Sequence, residues 1–243
     1  MTLAVPTGGG PVIPDFGQPS SCVAHNGTFC ASWFMQHWNS IFQPALIQHV
    51  ELTAIAVALG FGISFVLAVA AHRARWLVPP VTFATSLLYT IPSLTAFEIL
   101  VPITGLSRLT VEIPLVAYTL LVLFTNTLAG LSGVSAEVRD AATGIGLTAR
   151  QTLLRVELPL ALPTIFAGLR VAIVTTISLA TIAAFITPLG LGQPIFDALS
   201  KGAFNTELIG AGVLAILIAL VADFLLVGAQ RLLTPWAHSR RPV

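Results

Sequence analysis

Four polar residues of this sequence stand inside long apolar stretches, and they are its first candidates for chemistry. Glu98, Asn126, Arg170 and Asp223 each have mainly apolar neighbours in the chain. A charge in hydrocarbon is costly, so residues of this kind form ion pairs, line water-filled pathways or contact a second subunit. They are therefore candidates for an intramembrane polar site rather than for covalent chemistry.

Each of these residues has more than one interpretation. Arg170 lies about ten residues into one apolar stretch and Asp223 about eight before the end of another, so both are roughly 12–15 Å from the same side. They could form an ion pair, line a water-filled cavity or contact a second subunit. Glu98 could line a pore that favours a cationic solute, make a structural hydrogen bond or lie at the outer surface. Asn126 could line a pathway or pack helices closely.

Residues for catalysis or metal binding show no recognisable grouping in the sequence. It contains no GxxxxGK[ST] phosphate loop, no HExxH and no CxxC. Its five histidines lack metal-ligand spacing. We therefore expect no catalytic residue, no metal and no cofactor bound by this chain, and a net charge of +1 gives no reason to expect a nucleic-acid partner.

The elements that carry the polar residues are predicted to be membrane-spanning helices. The 243 residues are 56% hydrophobic and 9% charged, whereas soluble domains have about 25% charged residues. Mean hydropathy is +0.91. The apolar runs cover residues 45–71, 77–103, 111–134, 160–187 and 207–230. Each is near or above the roughly 20 residues that cross a bilayer, which predicts an all-α membrane protein with about five transmembrane helices.

The distribution of Lys and Arg predicts the orientation, because loops rich in these residues stay in the cytoplasm. The basic loops follow the first, third and fifth spans, with Arg73, Arg75, Arg139, Arg150, Arg155, Arg231, Arg240 and Arg241. The other side has only Arg108 and Lys201, and residues 1–45 have neither Lys nor Arg. We expect the N-terminus outside, without the pattern of a cleaved signal peptide, and a C-terminal tail, residues 236–243, in the cytoplasm.

Residues 1–44 are predicted to be an extracytoplasmic tail. Residues 1–20 are rich in Pro and Gly and favour an extended lead. Cys22 and Cys30 would lie on the oxidising side, where a disulfide persists, although two free thiols are the alternative. Phe34, Trp38 and Phe42 recur every four residues, which indicates a short helix in the membrane interface.

Two stretches interrupt the helical pattern within the predicted membrane domain, residues 45–235. Pro92 and Pro102 fall in the second span, which predicts a kink or a division around residues 89–93. Residues 186–194 are too rich in Gly and Pro for a continuous helix, and residues 195–199 are apolar again. We expect a loop followed by a short helix at the outer surface.

Residues 137–159 form the polar segment between the third and fourth spans, and they are predicted to be two short amphipathic helices joined by a turn. Ala141 and Ala142 permit close backbone approach, Gly146 can adopt positive φ to end a helix, and Thr148 is placed to cap the next helix. The segment is too polar for lipid and too structured for a linker. It is typical of a solvated surface that docks a partner.

The same segment resembles the EAA motif, E-A-A-x3-G-x9-I-x-L-P, of permeases in binding-protein-dependent ABC importers. The matching residues are Asp140, Ala141, Ala142, Gly146, Val156, Leu158 and Pro159. Asp140 replaces the usual Glu and shortens the acidic side chain by one methylene, and Val156 replaces Ile. Resemblance to these permeases extends over roughly residues 45–230, including the stretches 91–94, 160–170, 183–186 and 189–192.

The resemblance implies a subunit of the MetI-like type I family in a bacterial cytoplasmic membrane. In that family two permeases, identical or paralogous, form the pore, a cytoplasmic ATPase dimer binds ATP, and an extracytoplasmic solute-binding protein delivers the solute. The motif residues would then couple this chain to the ATPase. The stretch is most similar to permeases for osmoprotectants such as glycine betaine and choline.

Two rival functions remain at this point. The first is an ABC permease for another small solute, such as an amino acid or an ergothioneine-like betaine, because substrate choice is not encoded in the motif. The second is a secondary transporter driven by an ion gradient, with Glu98 and Asp223 as ion sites. The second rival predicts inverted repeats, and none is visible in the sequence.

Overall fold

The computed structural model describes residues 21–238, and every regular element within them is a helix. The lead predicted for residues 1–20 and the end of the tail, residues 239–243, lie outside the described residues. The α-helices are α1 (Ser21–Ala24), α2 (Ala31–Gln36), α3 (Gln43–Arg73), α4 (Val78–Thr90), α5 (Ser93–Thr104), α6 (Arg108–Ser132), α7 (Ala136–Gly144), α8 (Ala149–Thr152), α9 (Leu158–Ala183), α10 (Gly192–Ser200) and α11 (Asn205–Leu233). Wider π-helical turns cover Trp38–Phe42 and Leu153–Glu157, and short 3₁₀ turns cover Arg75–Leu77 and Pro235–His238.

The expectation of about five spans is confirmed. Four helical stretches are long and apolar enough to cross a membrane: Trp38–Arg73, Arg108–Ser132, Ala149–Ala183 and Asn205–Leu233. The fifth is a bent pair, in which the helices over Arg75–Thr90 and Ser93–Thr104 meet at 92°. Helices α3, α6 and α11 finish at the same end of the bundle. We call it the basic end, because the arginines of residues 73–75, 139–155 and 231 lie there.

The first span begins earlier than the sequence predicts. The π turn Trp38–Phe42 continues directly into α3, so only the first half of the predicted interfacial helix, α2, is separate from the span. Aromatic packing explains the difference: the rings of Phe34 and Phe42 are 4.4 Å apart, and Phe42 is fully buried. These rings therefore pack in the protein interior.

The predicted break in the second span is present, and its free backbone carbonyl has a partner. The α-helix stops at Thr90 and restarts at Ser93, after Pro92, which cannot donate an N–H. The hydroxyl of Tyr118, on α6, donates to the Ile91 carbonyl oxygen. Non-helical backbone at membrane depth is tolerated where protein satisfies its polar groups, so Tyr118 makes the break compatible with the bundle.

Small residues bring the central helices α3, α6 and α9 into close contact. Gly60 on α3 meets Thr119 on α6, where an added Cβ would overlap the threonine hydroxyl. A Cβ on Gly168 of α9 would lie 2.6 Å from the Cβ of Asn126 on α6. Membrane helices associate through such close backbone approach, because lipid offers little hydrophobic driving force between them.

The other end of the bundle is closed by the N-terminal segment and α10. Cys22 and Cys30 are joined in a disulfide, and the loop that it closes is bound to the start of α11. The backbone N–H of Asn205 donates to the Asn26 side chain at 2.9 Å, and the Cys30 N–H donates to the Thr206 hydroxyl at 2.8 Å. The short helix predicted at residues 195–199 is confirmed as α10.

Gly60→Ala is expected to destabilise the bundle by about 1–3 kcal/mol, as overpacking of a close helix contact does. Gly62→Ala is the matched control, because a Cβ there meets nothing within 4 Å. Thermal unfolding of the detergent-solubilised protein measures both. Adding Thr119→Ala to Gly60→Ala removes the overlapped hydroxyl and should recover most of the loss; equal stability of the two glycine variants would contradict this account of the α3–α6 contact.

Candidate functional site

The segment between the third and fourth spans begins with α7, whose end is fixed by Gly146. Gly146 has φ of +87°, the left-handed conformation that glycine adopts at little cost. Its N–H donates to the Thr143 carbonyl at 2.9 Å, and the Leu147 N–H donates to the Ala142 carbonyl at 3.1 Å. This pair of bonds is the Schellman arrangement that ends helices. The conformation predicted for Gly146 is confirmed.

The second half of the segment is continuous with the fourth span. Thr148 caps α8 as predicted, in a reciprocal arrangement with Gln151 in which the Thr148 N–H donates to the Gln151 side-chain oxygen at 2.8 Å. The chain then passes through the π turn Leu153–Glu157 into α9 without leaving the helical path. The predicted second short helix is therefore the first turn of a long helix. The predicted start of the span at residue 160 is too late, because Pro159 occupies the first turn of α9, where a missing N–H is tolerated.

The motif residues divide into an exposed group on α7 and a partly buried group at the start of α9. Asp140 and Ala141 are exposed, and Ala142 is buried against the rest of the segment. Val156, Leu158 and Pro159 are each partly buried. Ile145 lies beside the exposed group with 79% of its surface accessible. Val138, on α7, is also 38% exposed, so the segment leaves two apolar side chains accessible beside Asp140.

The first turn of α7 is electrostatically favourable. The Glu137 carboxylate accepts hydrogen bonds from its own backbone N–H and from the Ser135 hydroxyl, which hold the pKa of Glu137 below its ordinary value. A negative side chain at this position also complements the positive end of the helix dipole.

Glu157 is a buried carboxylate at the base of the segment, and the motif interpretation assigned it no role. One of its oxygens lies 3.2 Å from Nε2 of His72, at the end of α3, and the other lies 3.9 Å from an Nη of Arg139, on α7. Only 8% of the Glu157 side chain is exposed. An acidic residue within the otherwise apolar start of a span is the sequence feature that could have pointed to it.

Arg170 and Asp223 form an ion pair between α9 and α11. Arg170 Nε donates to one Asp223 oxygen at 2.6 Å and Nη2 donates to the other at 2.9 Å, the bidentate geometry of strong charge-assisted pairs. The two side chains remain 39% and 28% exposed. They border a cavity of about 500 Å³ that Thr175 and Val174 also line. The pairing and the cavity, which were separate interpretations of the sequence, therefore occur together.

The other two polar candidates are not part of this ion pair. Glu98 is exposed on α5. Asn126 is partly buried at the contact of α6 with α9, against Gly168, and its side-chain amide donates to the Val122 carbonyl of its own helix at 2.8 Å. Its surroundings are those of a residue that packs helices.

His49 and Gln48 bind the glycine-rich loop that follows α9, and neither residue is a candidate from the sequence. The Leu191 N–H donates to His49 Nδ1 at 3.2 Å, and the Gly190 N–H donates to the Gln48 side-chain oxygen at 2.8 Å. Nε2 of His49 lies 3.2 Å from the Ile177 carbonyl oxygen. Gly190 has φ of +64° and lies directly against the His49 ring, so only glycine fits this position without strain.

The fold, with its several long apolar helices and a polar segment between the third and fourth spans, defines a class of protein: a multi-pass membrane protein. The description of the matching family model is "binding-protein-dependent transport system inner membrane component", and the model matches residues 58–239. This chain belongs to that family.

Curated relatives agree over most of the chain. It is 38% identical over 193 residues to the osmoprotectant import permease protein OsmW of Salmonella typhimurium, covering 77% of this chain and 89% of that protein. It is 33% identical over 194 residues to the choline transport system permease protein OpuBB of Bacillus subtilis, covering 79% of this chain and 88% of that protein.

A solved structure shows the same fold. A chain of the MetNI methionine ABC transporter, in an inward-facing conformation, matches with a TM-score of 0.72 at 17% identity. The match covers 84% of this chain and 98% of that chain.

We expect Arg170→Asp or Asp223→Arg alone to reduce the yield of folded, detergent-extracted protein below about half of wild type, because each leaves two like charges together in the membrane. The double variant Arg170→Asp/Asp223→Arg restores an ion pair of reversed direction and should recover most of the yield. Size-exclusion chromatography of the extracted protein measures this. A double variant no better than the worse single variant would show that the pair does not stabilise the bundle.

Proposed function

We propose that this chain forms half of the translocation pore of an ATP-driven importer, with residues 137–159 docked on an ABC ATPase. The observation that carries the proposal is the geometry of α7. It is a short helix with a fixed end, outside the apolar bundle, and it presents Asp140, Ala141 and the exposed Ile145 to solvent. A surface of this kind suits a groove on a partner subunit.

The charge distribution supports a cytoplasmic position for α7. The cations at the opposite end of the bundle are few and paired: Arg108 Nη1 lies 3.2 Å from Glu51, and Lys201 Nζ lies 3.0 Å from Glu207. Basic loops stay in the cytoplasm, so the basic end would face the ATPase. The disulfide at the opposite end fits an oxidising compartment. This orientation places the N-terminus outside and the C-terminus in the cytoplasm.

The Arg170–Asp223 pair supports a pore built from two permeases. A pair of charges that is one third exposed on the face of a single bundle cannot be solvated by lipid chains. The face of α9 and α11 would therefore line a water-filled pathway or be covered by a second permease, either a copy of this chain or a paralogue. In this arrangement one chain supplies half of the walls.

The solute is proposed to be an osmoprotectant such as choline or glycine betaine. The support is the transport function named for the two curated relatives, which extend over most of this chain. A separate extracytoplasmic binding protein would select the solute, and the aromatic cage that recognises a quaternary ammonium would belong to that protein. ATP would be bound and hydrolysed by the partner ATPase, so this chain would need neither a cofactor nor a catalytic residue.

Co-purification of the ATPase with this chain tests the docking surface. We expect wild type to retain an ATPase subunit in mild detergent, and Asp140→Arg and Gly146→Pro to lose most of it. The first variant reverses an exposed charge, and the second replaces a residue whose left-handed φ proline cannot adopt. Gly62→Ala, outside the segment on α3, is the control and should retain the ATPase, because its Cβ meets nothing within 4 Å. Wild type without any associated ATPase would contradict the proposal.

A further inference from the structure

The buried Glu157 connects three elements that meet at the basic end. It closes the π turn that leads into α9, and its two oxygens face His72 of α3 and Arg139 of α7. A buried carboxylate is tolerated only where it is paired and hydrogen-bonded. These contacts therefore fix where α7 lies relative to the ends of α3 and α9.

Packing alone does not fix α7 in this way. Its main packing partners are α8 and the π turn Leu153–Glu157, and not the long helices of the bundle. A cavity of about 300 Å³ separates the segment from the end of α3, and His72, Arg139, Thr143, Leu153 and Glu157 all line it. Across this gap the connection between α7 and α3 depends on polar side chains.

We propose that Glu157 is a positioning residue that transmits displacement of α7 to both α3 and α9. The inference rests on the proposed docking of α7 on an ATPase. When the ATPase moves α7, the Arg139–Glu157 contact pulls on the start of α9, and the His72–Glu157 contact carries the same movement to the end of α3. Without Glu157 the ATPase would remain bound to α7, but its movement would reach the bundle only through the covalent chain and the packing of α7 on α8 and the π turn, and the direct link to α3 through His72 would be lost.

Glu157 should affect the coupling of ATP hydrolysis to transport, and not the assembly of this chain with the ATPase. Glu157 and His72 are buried beneath the surface that α7 presents, and Asp140, Ala141 and Ile145 are on its exposed side. Loss of Glu157 should therefore leave ATPase binding and basal hydrolysis intact while lowering the amount of solute moved per ATP hydrolysed. A residue that only stabilises the fold would lower all three quantities together.

The test uses the whole importer reconstituted in proteoliposomes, with radiolabelled choline or glycine betaine as the probe. For each variant, ATPase content, basal hydrolysis and solute transported per ATP are measured. We expect Glu157→Gln to keep the first two and to lower transport per ATP by roughly fivefold or more, the lower range of typical coupling effects. Arg75→Gln, an exposed arginine of the basic end outside the segment, is the control and should match wild type.

A pair of variants at His72 adds a rescue. His72→Gln retains an N–H donor near the position of Nε2 and should keep most of the wild-type transport per ATP. His72→Phe fills the space without a donor and should lower transport per ATP. Transport per ATP equal to wild type in Glu157→Gln would overturn the proposal. Should Glu157→Gln fail to assemble, wild-type transport per ATP in His72→Phe would overturn it equally. Absence of ATPase from the wild-type preparation would instead contradict the docking proposal on which this inference rests.

Discussion

The structure depends on one constraint: in hydrocarbon, each backbone polar group and each charge must find its partner within the protein. The long helices meet this constraint along their length, and the interruptions meet it with side chains. Tyr118 donates to the carbonyl freed at the Ile91–Pro92 break, and His49 accepts from the backbone of the glycine-rich loop. Arg170 and Asp223 satisfy each other. The positions of Tyr118 and His49 thus follow from the places where the helical pattern fails, whereas Arg170 and Asp223 lie within continuous helices.

The same constraint separates the two ends of the molecule. Polar backbone turns, a disulfide-closed loop and α10 cover one end, where N–H groups of α11 and the N-terminal segment bind side chains across the interface. At the other end the chain leaves the bundle to form α7 and returns through a π turn into α9. A segment outside the hydrocarbon can leave apolar and acidic side chains exposed, and this is the condition for contact with a partner. The buried Glu157 joins that exposed segment to the bundle.

Local features of the sequence predicted much of this arrangement, and distant contacts did not. The positive φ of Gly146, the cap at Thr148 and the break after Ile91 follow from the residue type and its near neighbours. His72 lies 85 residues from Glu157 in the chain, and Leu191 lies 142 residues from His49, and no local pattern specifies these contacts. The start of the fourth span was predicted too late because a π turn joins the polar helix α8 to α9 in one helical stretch, Ala149–Ala183, and the apolar run marks only part of that stretch.

The most direct measurement of the central claim is solute uptake by proteoliposomes that contain this permease with its ATPase, with ATP enclosed and the solute-binding protein outside. The account predicts that labelled choline or glycine betaine accumulates only when ATP and the binding protein are both present, and that collapsing ion gradients leaves uptake unchanged. ATP must favour one arrangement of the permeases over the other to drive this cycle. Uptake that proceeds without ATP when an ion gradient is imposed would contradict the account.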